Sequence, residues 1–179
     1  ALIISLDGSA ETVERQAKQM SALLHSAGAR SVNVIGGASG DSTLAAVRDF
    51  IPSNLSSLRA TAFTANLPLS VTAQFVTEVE TTASQLDLTP VCLVAGDTGT
   101  VSCLIQGSEV ERLAEIYGRT VVVVARLGGH CVLDHALPAL RSRVAVWGQP
   151  RDDWKLMKVL KQQFDAGGLF CRGRFVGGI

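Results

Sequence analysis

Short apolar segments with the two-residue alternation of β-strands recur along this chain, and most are separated by segments with the spacing of amphipathic helices. Alternation places successive side chains on opposite faces of a sheet, whereas apolar residues three or four positions apart line one face of a helix. The predicted strands are residues 1–6, 30–35, 58–65, 90–95, 100–106, 119–127 and 130–134. Four consecutive valines within 119–127 give the strongest strand signal of the seven.

Capping and stop signals bound the helices that are predicted between these strands. Ser9 can cap a first helix and Gly28 can end it. The sequence Ser108-Glu109-Val110-Glu111 has the capping-box pattern, and Gly118 is predicted to end the helix that it opens. The remaining helices are predicted at residues 41–50, before Pro52 and a loop at 53–57, at residues 71–86, and at residues 153–164.

The last predicted helix has an apolar face and a basic face. Its apolar residues are expected to be buried: Trp154, Met157, Leu160 and Phe164. Its basic residues are expected to face outward: Lys155, Lys158 and Lys161. Such a basic face is either solvated or able to touch a phosphate or an anionic membrane.

The order of these elements predicts the fold class. Two β-α-β halves joined by hairpin-like turns indicate an α+β fold with a ferredoxin-like, largely antiparallel sheet, helices on one face, and a C-terminal helical tail. No stretch is long enough to act as a linker, so residues 1–179 are predicted to form a single domain.

Charge and composition exclude several classes of protein. Hydrophobic residues make up 47% of the chain and charged residues 18%, which is typical of a globular domain. Lys and Arg together number 16, as do Asp and Glu, and this balance argues against a nucleic-acid-binding protein.

No apolar run approaches the length of a transmembrane helix. The chain begins without Met or a signal peptide, which indicates a piece of a longer protein. The four cysteines are expected to be reduced, in a protein that is cytoplasmic or peripheral to the inner face of the membrane.

Two segments carry candidate polar chemistry. The glycine-rich residues 36–40 are interpreted as a flexible turn, with phosphate binding as the alternative, because they match neither nucleotide-binding glycine motif. His130, Cys131, Asp134 and His135 cluster within six residues, but strand alternation separates the two histidines, so no metal site is predicted. His130 either lines a cleft or is a hydrogen-bonded structural residue. No self-sufficient catalytic site is recognisable in the sequence.

The C-terminal segment carries the most specific motif, Phe164-Asp165-Ala166-Gly167-Gly168-Leu169-Phe170, followed by Gly173-Arg174-Phe175. It resembles the C-terminal signature of FAD-linked oxidases of the vanillyl-alcohol oxidase type, Phe-Asp-Pro-x-Gly-Leu-(Phe or Leu)-Asn-Pro-Gly-Arg. Gly128-Gly129-His130 is similar to the Gly-Gly-His of glycolate oxidase FAD-binding subunits. The chain departs from the signature at Ala166, Cys171 and Arg172, and the loss of proline makes its tail less rigid.

This resemblance implies a cap domain that packs against an N-terminal FAD-binding domain absent from this chain. FAD would be held mainly by that other domain, while the cap shapes the substrate pocket. Gly173 and Arg174 match the Gly-Arg of the family tail and are the implied cofactor-binding residues. Arg174 would contact a flavin phosphate or a substrate carboxylate, or else form a salt bridge to the missing domain. His130 is the implied catalytic residue.

The function expected from the resemblance is that of the substrate or cap domain of an FAD-linked oxidoreductase acting on a small 2-hydroxy acid or alcohol. The fragment alone is expected to be inactive. Expected partners are the N-terminal FAD domain, other glycolate oxidase-type subunits, a small-molecule substrate and a second copy of the chain. Two alternatives stay open: a non-catalytic subunit of a flavoprotein complex, and a free-standing ferredoxin-like domain that binds a small ligand.

Overall fold

A computed structural model describes residues 1–55 and 60–178. The chain divides into two compact units, Ala1–Asp49 and Phe50–Ile179. The first unit carries two helices, and the second carries the sheet together with the other helices. That residues 1–179 form one domain stays a prediction.

The α-helices among the described residues are α1 (Ala10–Ser26), α2 (Gly37–Arg48), α3 (Phe50–Asn54), α4 (Thr72–Gln85), α5 (Val110–Arg126), α6 (Pro138–Arg141) and α7 (Asp153–Phe164). The strands are β1 (Ala60–Asn66), β2 (Pro90–Ala95), β3 (Thr100–Gln106) and β4 (His130–His135). Short 3-10 helices cover Leu69–Val71 and Val176–Gly178.

The strands form one sheet in the order β2-β3-β1-β4, and every neighbouring pair is antiparallel. Along the chain the elements follow as β1-α4-β2-β3-α5-β4, which with this strand order is the ferredoxin-like arrangement. Helices α4 and α5 pack together over the sheet. The predicted α+β fold with a largely antiparallel sheet is therefore confirmed.

The two faces of the sheet differ in chemistry. The face under α4 and α5 holds the main core, in which Phe63 and Tyr117 are in tilted ring contact. On the opposite face, Ala60, Ala62 and Leu104 are buried against the short helix α3. Beyond this small apolar area, the same face carries the polar side chains of Thr64, Asn66, Thr100 and Ser102.

Two predicted strands near the start of the chain are wrong. Residues 1–6 and 30–35 have no regular secondary structure, and Leu2, Val34 and Ile35 are exposed. An apolar segment becomes a strand only when a neighbour pairs with its backbone, and neither segment has a strand partner within the described part of the chain. Between them, α1 begins after the predicted cap Ser9, whose hydroxyl accepts from the amide of Thr12.

The predicted strand at 119–127 is also wrong, because α5 continues through Gly118 to Arg126. Ile116, Thr120 and Val124 extend the buried stripe of the helix at the spacing of a helical face. The low helix propensity of valine costs less than 1 kcal/mol per residue, whereas burying a valine side chain gains about 1.5 kcal/mol or more. The capping box fails as well: Glu109 is the N-cap, and it makes no side-chain capping bond.

The end of the first unit and the start of the second also differ from their predictions. The glycine-rich residues 36–40 are not a flexible turn, because α2 begins at Gly37. Pro52 lies inside α3, where it is tolerated because the first amides of a helix need no partner. Part of the predicted loop at 53–57 is thus helical. Its residues 56–57, and residues 58–59 of the strand predicted next, lie outside the described residues.

Candidate functional site

His130 is placed at the start of β4 by the two glycines that precede it. Gly128 has φ of 78°, the left-handed conformation that commonly ends helices, and its amide donates to the carbonyl of Ala125 at 3.1 Å. Gly129 passes so close to β1 that a β-carbon on it would lie 2.3 Å from the Asn66 carbonyl oxygen. The Gly-Gly-His sequence therefore ends α5, crosses the end of β1 and sets His130 beside Asn66.

His130, Asn66 and Thr100 form a row of polar side chains across three strands. Asn66 pairs with His130 on one side and with Thr100 on the other, so all three side chains lie on one face of the sheet. The Thr100 hydroxyl donates to Asn66 Oδ1 at 3.0 Å, and Asn66 Nδ2 lies 3.4 Å from His130 Nε2. This polar row lies on the face opposite α4 and α5, because Ala65, Val101 and Cys131 alternate with it and are buried in the core.

The hydrogen bonds of the polar row define the tautomer of His130. Asn66 accepts from Thr100 through its carbonyl oxygen, so its amide nitrogen faces the imidazole. An amide nitrogen can only donate, and His130 Nε2 must therefore be the acceptor. The neutral ring then carries its proton on Nδ1. At 3.4 Å the bond to Asn66 is long, and another donor can displace the amide.

A second set of polar side chains, Thr64, Ser102 and Asp134, lies beside the polar row on the same face of the sheet. The Thr64 hydroxyl donates to Asp134 Oδ2 at 2.7 Å and lies 3.2 Å from the Ser102 hydroxyl. Partial burial raises the pKa of Asp134, and the hydrogen bond from Thr64 opposes that shift. The face therefore carries two adjacent sets of hydrogen-bonding side chains.

Two charged residues at the N-terminus of α7, Arg151 just before it and Asp153 as its first residue, act electrostatically on His130. Arg151 donates to both carboxylate oxygens of Asp153, at 3.1 Å from Nε and 2.7 Å from Nη2. Burial lowers the pKa of His130, the positive charge of Arg151 lowers it further, and the negative charge of Asp153 acts in the opposite sense. The lowered pKa favours the neutral imidazole, which can accept a proton.

The two predicted cofactor-binding residues lie in the tail and do not join the polar row. Gly173 has φ of 68° in an exposed turn, which the amide of Arg174 closes by donating to the Cys171 carbonyl at 2.9 Å. The Arg174 side chain is exposed and makes no hydrogen bond or salt bridge with the part of the chain that the structure describes. No bond joins Arg174 to His130 among these residues.

Asp165, the acid of the tail motif, organises the loop that follows α7. Its carboxylate accepts from the amides of Leu169 at 2.7 Å and Phe170 at 3.0 Å. The Lys161 ammonium donates to the same carboxylate, and these bonds together lower the pKa of Asp165 to about 2. The expectation that Lys161 faces outward is therefore wrong, because its side chain is mostly buried.

An exposed apolar surface runs along α7 into this loop, and we call it the α7–tail surface. It consists of Leu156, Val159, Leu160, Phe164, Leu169 and Phe170. Phe164 is 83% exposed and Leu169 is 77% exposed. The prediction that Leu160 and Phe164 are buried is thus wrong for the described chain. Trp154 and Met157 are partly buried, and the 3-10 helix Val176–Gly178 packs on α7.

The histidine and cysteine cluster at 130–135 does not converge on one point. Cys131 is buried in the core, whereas His130 and Asp134 belong to the opposite face. No group of three or more potential metal ligands occurs within residues 1–55 and 60–178. Within the same ranges, no helix has the length and apolar character needed to cross a membrane.

Comparison with known proteins assigns the chain to a family. The family model described as "FAD linked oxidases, C-terminal domain" matches residues 1–175, nearly the whole sequence. The chain belongs to this family. No curated protein sequence matches this FAD-linked oxidase C-terminal domain.

Family membership implies an FAD cofactor for the oxidase of which such a domain is part. The polar row is partly exposed and offers the donors and acceptors of His130, Asn66 and Thr100, so the residues present fit a polar group of a bound cofactor or substrate. Sequence reasoning named His130 and Asp134 in this FAD-linked oxidase domain but did not name Thr64, Asn66 or Thr100. The available signal was polar residues two positions apart at the end of the predicted strand 58–65: Thr64 lies within that strand and Asn66 directly follows it.

Proposed function

We propose that this domain covers the substrate side of an FAD-linked oxidoreductase whose substrate is a small 2-hydroxy acid, such as glycolate or lactate, or a similar alcohol. The polar row on the sheet face opposite α4 and α5 carries the proposal. When bound, FAD would supply the oxidising chemistry, which is the acceptance of a hydride from the carbon that bears the hydroxyl. The similarity of Gly128-Gly129-His130 to the Gly-Gly-His of glycolate oxidase FAD-binding subunits supports this substrate class.

In this proposal His130 accepts the proton of the substrate hydroxyl. Its lowered pKa keeps the imidazole neutral, and Nε2 carries the lone pair that now meets Asn66 at a long distance. A substrate hydroxyl can displace the Asn66 amide from Nε2, because a hydroxyl approaches a neutral imidazole to about 2.7 Å. The released amide of Asn66 is then free to donate to the substrate's own oxygen atoms.

Arg174 is the proposed partner for an anionic group. Its guanidinium is exposed and offers a planar set of donors that matches a carboxylate or a phosphate. The turn at Gly173 presents it from the tail rather than from the sheet. It would bind the substrate carboxylate or a flavin phosphate once an FAD-binding domain brings the tail and the ligand together, or pair with an acid of that domain.

We further propose that an N-terminal FAD-binding domain of the same protein covers the α7–tail surface and binds most of the FAD. Large side chains such as Phe164 and Phe170 are rarely left exposed together unless they meet another surface. The Asp165 carboxylate accepts hydrogen bonds from the amides of Leu169 and Phe170, and these bonds hold the loop in the conformation that exposes both side chains. This explains why the motif combines an aspartate with apolar residues on both sides.

The test is the visible spectrum of the holoenzyme that contains this domain, recorded under nitrogen before and after addition of glycolate or D-lactate. Bleaching of the flavin band by either substrate is the expected result. A flavin band that persists with both compounds would contradict the substrate class and favour the alternative, a non-catalytic subunit. A preparation without flavin would contradict the cofactor assignment itself.

Substitution of His130 tests its role in the same assay. His130→Gln keeps an acceptor for Asn66 but removes the base, so the rate of flavin reduction should fall by about 100-fold or more while flavin content stays unchanged. The matched control is His135→Gln, at the other end of β4, which should reduce the flavin at the normal rate. Equal rates in both variants would exclude His130 as the base.

A further inference from the structure

Two cysteines face each other across the edge of the sheet. Cys92 in β2 and Cys103 in β3 are directly paired, and their sulfur atoms lie 3.1 Å apart. Directly opposed residues of antiparallel strands have Cα atoms about 4.5–5.5 Å apart, which lies within the range of disulfides. A disulfide bond is about 2.05 Å long, so the sulfurs need to approach by only about 1 Å.

The two thiols differ in access and in acidity. Cys103 is fully buried, whereas Cys92 is partly exposed on β2, an outer strand of the sheet. The hydrogen bond from the Cys103 thiol lowers the pKa of Cys92. The same bond, followed by burial, raises the pKa of Cys103. Cys92 is therefore the sulfur that an oxidant in solution reaches first. Its lower pKa also makes it the thiol that more readily forms the nucleophilic thiolate.

We propose that Cys92 and Cys103 form a site of reversible oxidation by hydrogen peroxide. The Cys92 thiolate attacks one peroxide oxygen, the O–O bond breaks, and the departing oxygen takes up a proton and leaves as water, which gives a sulfenic acid. The Cys103 sulfur then attacks the Cys92 sulfur, and the S–O bond breaks. The Cys103 proton leaves with the hydroxyl as a second water. Two electrons pass from the two sulfurs to one peroxide molecule, and a disulfide joins β2 to β3.

The proposal is tested on the full chain with Cys171→Ser, which removes the exposed cysteine and leaves the core unchanged. After treatment with hydrogen peroxide, remaining thiols are alkylated in denaturant and the digest is analysed by mass spectrometry. The expected product is one disulfide between Cys92 and Cys103, with Cys131 alkylated and the disulfide removed by dithiothreitol. A disulfide to Cys131, or thiols that all stay alkylatable, would overturn the proposal.

Two variants separate the roles of the paired cysteines. In Cys103→Ala, Cys92 should stop at the sulfenic acid, which dimedone traps. In Cys92→Ala, Cys103 should stay reduced, because it is buried. The matched control is Cys131→Ala, another buried cysteine of the same core, in which the disulfide should still form. Dimedone labelling of Cys103 in the Cys92→Ala variant would contradict the assigned order of attack.

Discussion

Arg151 stands close enough to His130 for its charge to lower the pKa of the imidazole, although Arg151 itself is paired with Asp153. Arg151→Gln should therefore raise the pKa of His130, because the opposing charge of Asp153 is then left alone. Asp153→Asn should lower it further. NMR titration of the imidazole signals of His130 measures both shifts.

The same shift has a consequence for stability. The folded chain favours neutral His130, so below about pH 6.5 the unfolded chain binds this proton more readily. The contribution of His130 to stability is thus present above about pH 6.5 and is lost as the pH falls from there through the lower pKa of the folded chain. His130→Gln should flatten this part of the stability profile measured by urea unfolding. An unchanged profile in this variant would exclude His130 as its source.

Gly129 should be the least replaceable residue of the Gly-Gly-His segment. A β-carbon on it would meet the Asn66 carbonyl oxygen at 2.3 Å and a Leu67 methyl group at 2.7 Å. Gly129→Ala should destabilise the chain by about 1–3 kcal/mol or more, since backbone must move to relieve the overlap. Gly118→Ala is the control: Gly118 lies in α5 with open space around it, so alanine there should stabilise by about 0.5–1 kcal/mol. Chemical unfolding of both variants checks the contrast, and equal effects would contradict it.

Asp165 should hold the tail loop only while it is ionised. Its pKa of about 2 lies below that of a free aspartate, so its contribution is present above about pH 4 and is lost as the pH falls toward 2. The amide signals of Leu169 and Phe170 should shift with this titration, because both amides donate to the carboxylate. Asp165→Asn should abolish the acid transition of these signals. Asp97→Asn, at an exposed turn between β2 and β3, should leave it intact.

The sequence alone predicted those elements whose local residue pattern favours the same secondary structure that they adopt in the fold. The strands 90–95 and 100–106 and the helix 153–164 have the predicted bounds, because turn signals enclose them. The valine run of α5 could not be assigned from local preference, since its helical state depends on burial of Thr120 and Val124 against the sheet.

The candidate site likewise has one residue that a local motif predicts and others that depend on tertiary structure. His130 was recognisable from a local motif, Gly-Gly-His. Asn66 and Thr100 become its neighbours only through the strand order β3-β1-β4, which brings together residues 64 and 34 positions apart. The exposure of Phe164 contradicts the predicted burial of the apolar face of α7. The spacing of apolar residues shows that a helix has an apolar face, but it does not show what that face packs against.

The α7–tail surface gives the last prediction. Phe164→Ser together with Leu169→Ser should change the unfolding free energy of this domain by only about 0.5 kcal/mol, because both side chains are largely exposed. In the holoenzyme the same pair should weaken association with the FAD-binding domain, since each removes a large apolar contact from the proposed interface. Flavin retained after gel filtration measures this loss. Val122→Ser is the control, because Val122 is an exposed apolar residue of α5 outside the surface. If the double variant retained as much flavin as Val122→Ser, the proposed interface would have to lie elsewhere on the domain.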